Sequence, residues 1–378
     1  MSYIGSKPAD AVLETNDIAD GVVTNPKLST GSQQNFRNII INGDMSIAQR
    51  GTSQTSAGSS SGSYQTIDRF KFSNNSLGAF TQSQSTDVPT GQGFANSMKF
   101  DCTTADASPA TSDYLIVSQR IEGQNLQYLK KGTANAESLT VSFWVKSAKT
   151  GTYIAELFDN DNTRQISKSY TINSANTWEK KTITYPGDTT GTLDNDNAGS
   201  LDLFFWLASG SNFSSGTLST TWTASTTANR VVGQVNLADS TSNEWYITGV
   251  QLEAGQTASE FEFLPVDINL QRCRRYLEKS SNMNSALIAT SQGIVSIRDG
   301  TASAVNRYYN IQYSVEKRAT PTLTSYDLLG ATGKVRRDAT NGATAITFST
   351  GSTCFNIYTP SGVSHYGISF GWYADAEL

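Results

Sequence analysis

Apolar and polar residues alternate with a period of two along much of this chain. Residues 139–147 (LTVSFWVKS) place aliphatic side chains and Phe143 on one face and Trp144 on the other. Residues 201–209 (LDLFFWLAS) repeat this pattern, again with a tryptophan, Trp206, on the more polar face. Because successive side chains of a strand point to opposite faces, the pattern predicts an antiparallel sheet with one face against a core.

Clusters of turn-forming residues separate the apolar runs. The sequence DNDN occurs at 159–162 and again at 194–197, and PGD occurs at 186–188. Asp, Asn, Gly and Pro favour turns because they adopt or pre-set turn backbone angles. Short strands separated by such turns predict a β-sandwich or jelly roll.

One segment has helical rather than strand periodicity. Residues 266–279 (VDINLQRCRRYLEK) follow Pro265 and place their apolar residues close to one stripe. Within the segment, the basic run QRCRR at 271–275 is expected either to face solvent or to contact an acidic patch of a partner subunit. Cys273 is expected to be a small buried side chain.

These patterns predict an all-β protein in four parts. Residues 1–35, which lack a strand period, are interpreted as an N-terminal attachment segment that orders on a partner, with an unanchored terminus as the alternative. A jelly-roll β-sandwich is predicted over 36–265, a short helical connector over 266–280, and a smaller C-terminal β domain over 281–378.

Composition and charge exclude several functional classes. Charged residues make up 16% of the chain and the net charge is −5, which argues against a nucleic-acid binder because phosphate contacts need clustered Lys and Arg. The three cysteines are widely spaced and predict no disulfide framework, as in proteins folded in a reducing cytoplasm. The most apolar stretch, residues 201–208, is too short to span a bilayer, so no membrane insertion is expected.

Candidate catalytic and metal-binding groups are few. His365 is the only histidine, so histidine-rich zinc sites are excluded, and we interpret it as a strand or loop residue. The DNDN runs supply paired carboxylates that a glycosidase or a calcium site would need, but plain turn residues explain them better. We therefore predict no catalytic residue, no metal and no cofactor. The carboxylates considered for calcium are Asp159, Asp161, Asp194 and Asp196.

Aromatic side chains are the candidate ligand contacts, because the face of a sugar ring stacks on Trp or Tyr by burying its CH groups. Trp144 and Trp206 lie opposite the aliphatic rows and are expected to face solvent or a neighbouring subunit. Trp222 lies in the polar stretch TTWTAST and is the tryptophan least expected in a core. Tyr308 completes the set, although a core or subunit-interface position is the ordinary role of any one such ring.

Several stretches resemble one family. Residues 36–51 (FRNIIINGDMSIAQRG) with 66–72 (TIDRFKF) resemble the opening of a sandwich domain of predicted bacteriophage tail-fibre proteins, many of them marine. Residues 247–280 are similar to the closing strand and short helix of that domain. Residues 313–327 with 372–378 (WYADAEL) resemble the distal domain that follows it, and IADGVVTNPKLST near the N-terminus is similar to short repeats at the particle-attachment end of such fibres.

The resemblance implies a structural and adhesive role. Such proteins are usually homotrimers, with the N-terminus on the virion and the C-terminal domain distal, and their sandwich is similar to carbohydrate-binding modules. It implies a host-surface glycan as ligand, virion tail or adaptor proteins as partners of residues 1–35, and assembly in the host cytoplasm. The chain lacks long heptad or collagen-like repeats, which favours a short fibre.

Two alternatives to a non-enzymatic receptor-binding protein remain open at this point. One is a purely structural virion component, such as a head fibre or tail adaptor. The other is a polysaccharide-depolymerising tailspike, although the short repeats of a parallel β-helix are missing from the sequence.

Overall fold

The computed structural model describes residues 36–57, 63–303, 307–338, 340–345, 347–359 and 365–378. The predicted attachment segment 1–35 lies outside the described residues. Asn38–Leu378 forms one compact unit. The boundaries predicted at 265/266 and 280/281 stay a prediction.

Thirteen strands build the first part of this unit. In chain order they are β1 (Ser53–Ala57), β2 (Ser63–Tyr64), β3 (Lys71–Asn75), β4 (Ala79–Ser85), β5 (Ser97–Thr104), β6 (Tyr114–Glu122), β7 (Leu139–Ser147), β8 (Gly151–Asp159), β9 (Arg164–Ile172), β10 (Glu179–Tyr185), β11 (Gly199–Ser209), β12 (Thr223–Ala224) and β13 (Glu244–Ala254). One sheet has the order β1-β4-β5-β13-β7-β10, and the other has the order β12-β9-β8-β11-β6-β3-β2. We call these sheet A and sheet B. A short helix, α1 (Ser211–Ser214), follows β11.

The two sheets face each other across one apolar core. Phe72 of sheet B stacks on Phe100 of sheet A with ring centres 4.7 Å apart, and Phe143 of sheet A meets Phe205 of sheet B edge-to-face at 5.0 Å. Such aromatic pairs contribute about 0.5–1.5 kcal/mol each beyond the area they bury. The predicted all-β fold with a jelly-roll β-sandwich is confirmed.

A second set of strands follows a helix, α2 (Val266–Arg274). These strands are β14 (Leu277–Lys279), β15 (Val295–Ser303), β16 (Arg307–Gln312), β17 (Thr322–Tyr326), β18 (Lys334–Arg337), β19 (Thr340–Ala345), β20 (Thr347–Thr350), β21 (Cys354–Thr359) and β22 (His365–Asp375). Strand β22 is central, since β14, β15, β17 and β18 all pair with it. Strands β16, β21 and β20 form a separate small sheet. Phe355, Phe370 and Trp372 are buried in the core that both sheets share.

The helix is shorter than the 14 residues predicted over 266–279. It ends at Arg274, and Leu277–Lys279 instead forms β14, which pairs with residues 373–375 of β22. All three residues of β14 are buried, so the hydrogen bonds to β22 outweigh the local preference for helix. Cys273 is buried as predicted.

Buried charges join the helix and the C-terminus to the sandwich. Glu122, at the end of β6, is fully buried and accepts two hydrogen bonds from the Arg275 guanidinium at 2.8 and 2.7 Å, and a third from the Tyr276 hydroxyl. Glu377 pairs with the buried Arg69. We call these contacts the junction. They show that the basic segment 271–275 has an acidic partner within its own chain.

Candidate functional site

A row of alternating rings and lysines crosses the outer face of sheet A. Tyr246 of β13 is directly opposite Lys146 of β7 on one side and Lys99 of β5 on the other. Trp144 pairs with Lys180 of β10, so Trp178, two residues before Lys180, lies opposite Lys146. We call the surface formed by Trp144, Lys146, Trp178, Tyr246 and Lys99 the aromatic face.

The loop before β10 holds Trp178 in place. Asn173 and Ser174 donate their backbone N–H groups to the Glu179 carboxylate at 2.8 and 2.9 Å. Burial raises the pKa of Glu179, but the hydrogen bonds from Lys181 and from these N–H groups outweigh it and lower the pKa to about 2. The carboxylate therefore stays charged and keeps the loop folded against the start of β10.

Asp87, in the connection between β4 and β5, fixes the next two groups of the row. Its carboxylate accepts a hydrogen bond from Trp178 Nε1 at 2.9 Å and one from Lys146. Burial raises the pKa of Asp87, but these two hydrogen bonds outweigh it and hold the pKa below its usual value. Lys146 Nζ lies 4.2 Å from the ring centre of Tyr246 and 5.6 Å from that of Trp178. The ammonium therefore lies between two π faces, an arrangement that favours a cation.

Glu244 orders the other side of Tyr246. The Tyr246 hydroxyl donates to Glu244 Oε2 at 2.7 Å, and Lys99 Nζ donates to Glu244 Oε1 at 2.6 Å. Burial and the bond to Glu244 raise the pKa of Tyr246 to about 12. Burial raises the pKa of Glu244 too, but the Lys99 and Tyr246 hydrogen bonds outweigh it and leave the pKa below its usual value. The hydroxyl therefore remains a neutral donor at neutral pH.

This arrangement combines apolar ring surface with fixed polar groups. Trp144 and Trp178 are partly exposed, and Lys180 beside Trp144 is exposed. Exposed indole rings bury the CH face of a sugar, while neighbouring ammonium and carboxylate groups hydrogen-bond its hydroxyls. Because Asp87 and Glu244 already hold the Trp178 and Tyr246 rings in place, a ligand that contacts these two rings would cost little side-chain ordering.

The sequence pattern identified only part of this face. Trp144, which was predicted as a ligand contact, lies on this face, and its contact with a ligand stays a prediction. Trp178 and Tyr246 were missed, because the first lies outside any alternating run and the second belongs to a strand whose apolar residues dominate the pattern. The alternation in residues 244–248 (EWYIT) was the available signal for Tyr246.

The prediction that Trp206 faces solvent or a neighbouring subunit is wrong. Trp206 lies on the outer face of sheet B, but the segment after β11 folds over it, and its side chain is fully buried beside Phe213 and Val231. Its Nε1 donates to Glu156 at 2.7 Å, and Arg230 forms a bidentate ion pair with the same carboxylate. A loop of the same chain therefore covers the ring that the sequence pattern left exposed.

Trp222 and Tyr308 lie on other surfaces. Trp222 is half-buried, packs against the main core, and donates its Nε1 to the Pro186 carbonyl at 2.8 Å. Tyr308 belongs to β16 and has 70% of its surface exposed. The structure therefore does not bring the predicted set Trp144, Trp206, Trp222 and Tyr308 together.

Three of the four carboxylates considered for calcium, those of Asp159, Asp161 and Asp196, have partners within the chain. Asp159 is fully buried and forms an ion pair with Lys131, whose ammonium also lies 3.1 Å from Asp188 and donates to the Gly191 carbonyl at 2.9 Å. An ammonium thus occupies the place where oxygen ligands converge. Asp161 Oδ2 accepts the backbone N–H of Asp194 at 2.9 Å.

The last of these carboxylates, Asp196, accepts the N–H of Ala198. Among the described residues, no group of three or more His, Cys, Asp or Glu side chains has the geometry to hold a metal ion. No helix in the described part of the chain is long and apolar enough to cross a membrane.

Comparison with known proteins found similarity to solved structures only. No protein-family model and no curated protein matches the chain. Solved structures that are similar to it include a bacteriophage CBA120 tailspike protein 4 enzymatically active domain, with 16% identity, a TM-score of 0.30, and coverage of 53% of this chain and 21% of the tailspike chain. The match therefore spans about a fifth of that protein.

Two further neighbours are binding modules. A family 11 carbohydrate-binding module from Clostridium thermocellum in complex with a beta-1,3-1,4-mixed-linked tetrasaccharide has 12% identity, a TM-score of 0.29, and coverage of 55% of this chain and 99% of the module. A xylan-binding domain from Paenibacillus barcinonensis has 12% identity, a TM-score of 0.25, and coverage of 58% and 96%. The scores are low, and the fold of the sandwich follows from its own strand order and register.

Proposed function

We propose that this chain is an adhesive subunit of a bacteriophage appendage and that it binds a host-surface glycan on the aromatic face. The observation that carries the proposal is the cross-strand row in which Trp178, Lys146 and Tyr246 follow one another with their polar atoms fixed by Asp87 and Glu244. Pre-ordered rings beside polar groups are the arrangement that sugar recognition requires.

The virion role extends the resemblance found in the sequence. Residues 1–35 attach the subunit to a tail or adaptor protein, and three copies assemble into a short fibre. Within the trimer each face binds its sugar weakly, and simultaneous engagement multiplies the apparent affinity. The subunit acts by binding rather than by catalysis, and a reducing-sugar assay on the bound polysaccharide is expected to show no release.

Matched tryptophan variants of the full chain test the glycan site. A glycan array first identifies a ligand, and calorimetry then compares Trp178→Ala and Trp144→Ala with Trp222→Ala, which removes an equally large half-buried ring outside the face. We expect about a tenfold or greater loss of affinity for the first two, since a loss of about 1.4 kcal/mol corresponds to tenfold.

Trp222→Ala is the control for the two variants on the aromatic face. Trp222→Ala is expected to bind as the wild type does, and circular dichroism confirms the fold of each variant. Equal losses in all three variants, or normal binding by Trp178→Ala and Trp144→Ala, would remove the aromatic face as the site.

A further inference from the structure

A cleft of about 570 Å³ opens among the C-terminal strands. It lies where β22 runs between β15 and β18, with Arg298 opposite Gly367 and Arg336 opposite Ser369. Clefts of about 300–1,000 Å³ are the usual size for small-ligand sites. The aromatic face and the junction contribute no residue to its lining.

The two arginines give the cleft a local positive charge. Arg298 is exposed and Arg336 is partly buried. Among the described residues, neither guanidinium has an ion pair or a side-chain hydrogen bond, and Arg336 Nε is buried with no partner. Asp338 is the one carboxylate of the described lining, and its Oδ1 already accepts the backbone N–H of Tyr366 at 2.9 Å. The described lining therefore has one more positive than negative charge.

A glycine in β22 leaves space for the Arg298 side chain. A Cβ atom on Gly367 would come within 2.3 Å of the Ile297 carbonyl oxygen and 3.1 Å of Arg298 Cγ, so the bare backbone gives the Arg298 stem room to lie across β22. Tyr366, next in the strand, has 57% of its surface exposed at the edge of the cleft. Because Tyr366 is the neighbour of Gly367 in the strand, its side chain points to the face of β22 opposite to the one that carries Arg298 and Arg336.

The cleft lies away from the sandwich. Strand β22 carries Tyr366–Ser369 in the cleft and ends at Asp375, which pairs with Arg50 of the sandwich. At about 3.3 Å per residue, the six steps from Ser369 to Asp375 correspond to about 20 Å. The cleft is therefore presented at the end of the C-terminal sheets that points away from the junction.

We propose that this cleft binds an anionic sugar, whose carboxylate or phosphate group contacts Arg298 and Arg336. Guanidinium groups match both anions because their paired N–H donors form bidentate hydrogen bonds. The chain as a whole carries a net charge of −5, so an acidic polymer is repelled unless a local positive site holds it. The inference rests on the proposed function, in that it names the class of glycan bound at a second site.

Binding of three polysaccharides to the full chain tests the proposal. The probes are polygalacturonate for the carboxylate, phosphomannan for the phosphate and neutral dextran. We compare wild type, the double variant Arg298→Gln/Arg336→Gln, and Lys168→Gln, which removes one positive charge from β9 of the sandwich. We expect wild type to bind at least one acidic probe, the double variant to bind it at least about tenfold more weakly, and Lys168→Gln to match wild type.

The outcomes separate this inference from the proposed function. Loss for polygalacturonate alone identifies a carboxylate ligand, and loss for phosphomannan alone identifies a phosphate. If wild type binds neither acidic probe, or if Lys168→Gln loses as much affinity as the double variant, the cleft is not an anion site. The Trp178→Ala result on a neutral glycan then still decides the proposed function independently.

Discussion

On the outer face of the sandwich, Lys146 and Lys99 each have a carboxylate of the same chain within hydrogen-bond distance. In the C-terminal cleft, by contrast, the described residues offer Arg298 and Arg336 no carboxylate partner. Paired charges set the position of rings but contribute little long-range attraction, because each positive charge is cancelled nearby. Charges without such partners attract an anion. We therefore expect the first surface to select its ligand by shape and the second by charge.

The two regions also differ in how they are stabilised. The sandwich encloses a large core between two sheets, whereas the C-terminal sheets share a smaller core and are attached by buried ion pairs. Glu122 with Arg275 and Glu377 with Arg69 are the principal pairs of this junction. Because a buried charge that loses its partner is costly, the junction couples the C-terminal sheets to the sandwich.

The largest expected effects come from one core substitution in each region. Phe143→Ala in the sandwich and Phe370→Ala in the C-terminal core each remove a buried ring and are expected to cost about 3–5 kcal/mol of unfolding free energy. Urea denaturation followed by circular dichroism measures both. If the junction couples the two regions, the chain unfolds in a single transition, and either substitution lowers the urea concentration at its midpoint. Two separate transitions, of which Phe370→Ala moves only one, would show that the regions unfold independently.

The alternation of apolar residues was sufficient to predict the fold class. In 139–147 and 201–209 it identified the face that meets the main core, with Phe143 and Phe205 on it, although most residues of the other face are buried as well. The same pattern failed for Trp206, since alternation shows which face a side chain takes and not whether a later loop covers that face. Arg230 and Phe213, which cover it, lie beyond the strand that carries Trp206.

The sites depended on pairings that are distant in the sequence. Asp87 and Trp178 are 91 residues apart, and Glu122 and Arg275 are 153 residues apart. No local period reports such contacts, because they arise only once the sheet order brings separate strands together. The predicted C-terminal boundary of the helix was wrong for the same reason, since residues 277–279 take their hydrogen-bond partners from the end of the chain.

A smaller effect is expected when the junction is weakened without touching either core. Arg275→Ala removes the bidentate partner of Glu122 but leaves the hydrogen bonds from Tyr276 and Gln124. Since a hydrogen bond to a charged group contributes about 1.5–3 kcal/mol, we expect a loss of about 2 kcal/mol. Lys180→Ala, an exposed charge on the aromatic face, is the control and should change the unfolding free energy by less than about 0.5 kcal/mol. Equal values for the two variants would mean that the junction does not stabilise the chain.

The smallest effect separates the two surfaces by pH. The pKa values of Asp87 and Glu244 lie below their usual range, so their contribution to the order of the aromatic face is present above about pH 4 and is lost as the pH falls through the lowered values. The cleft offers guanidinium groups instead of carboxylate-held rings, and guanidinium groups in proteins do not lose their proton in this range. Acid should therefore loosen the aromatic face while leaving the positive charge of the cleft unchanged.

The fluorescence of Trp178, obtained as the difference between wild type and Trp178→Phe, reports this loss. We expect a red shift below about pH 4 as the indole loses Asp87 and meets water, with a change in stability below about 1 kcal/mol because the ion pair is partly exposed. Asp87→Asn should show the shifted spectrum already at pH 7. A transition near pH 6 would instead point to Asp68, whose burial raises its pKa to about 6. Asp68 accepts hydrogen bonds from Gln49, which also binds Leu277 of β14, so the aromatic face would then respond to this contact with β14 rather than to its own ion pairs.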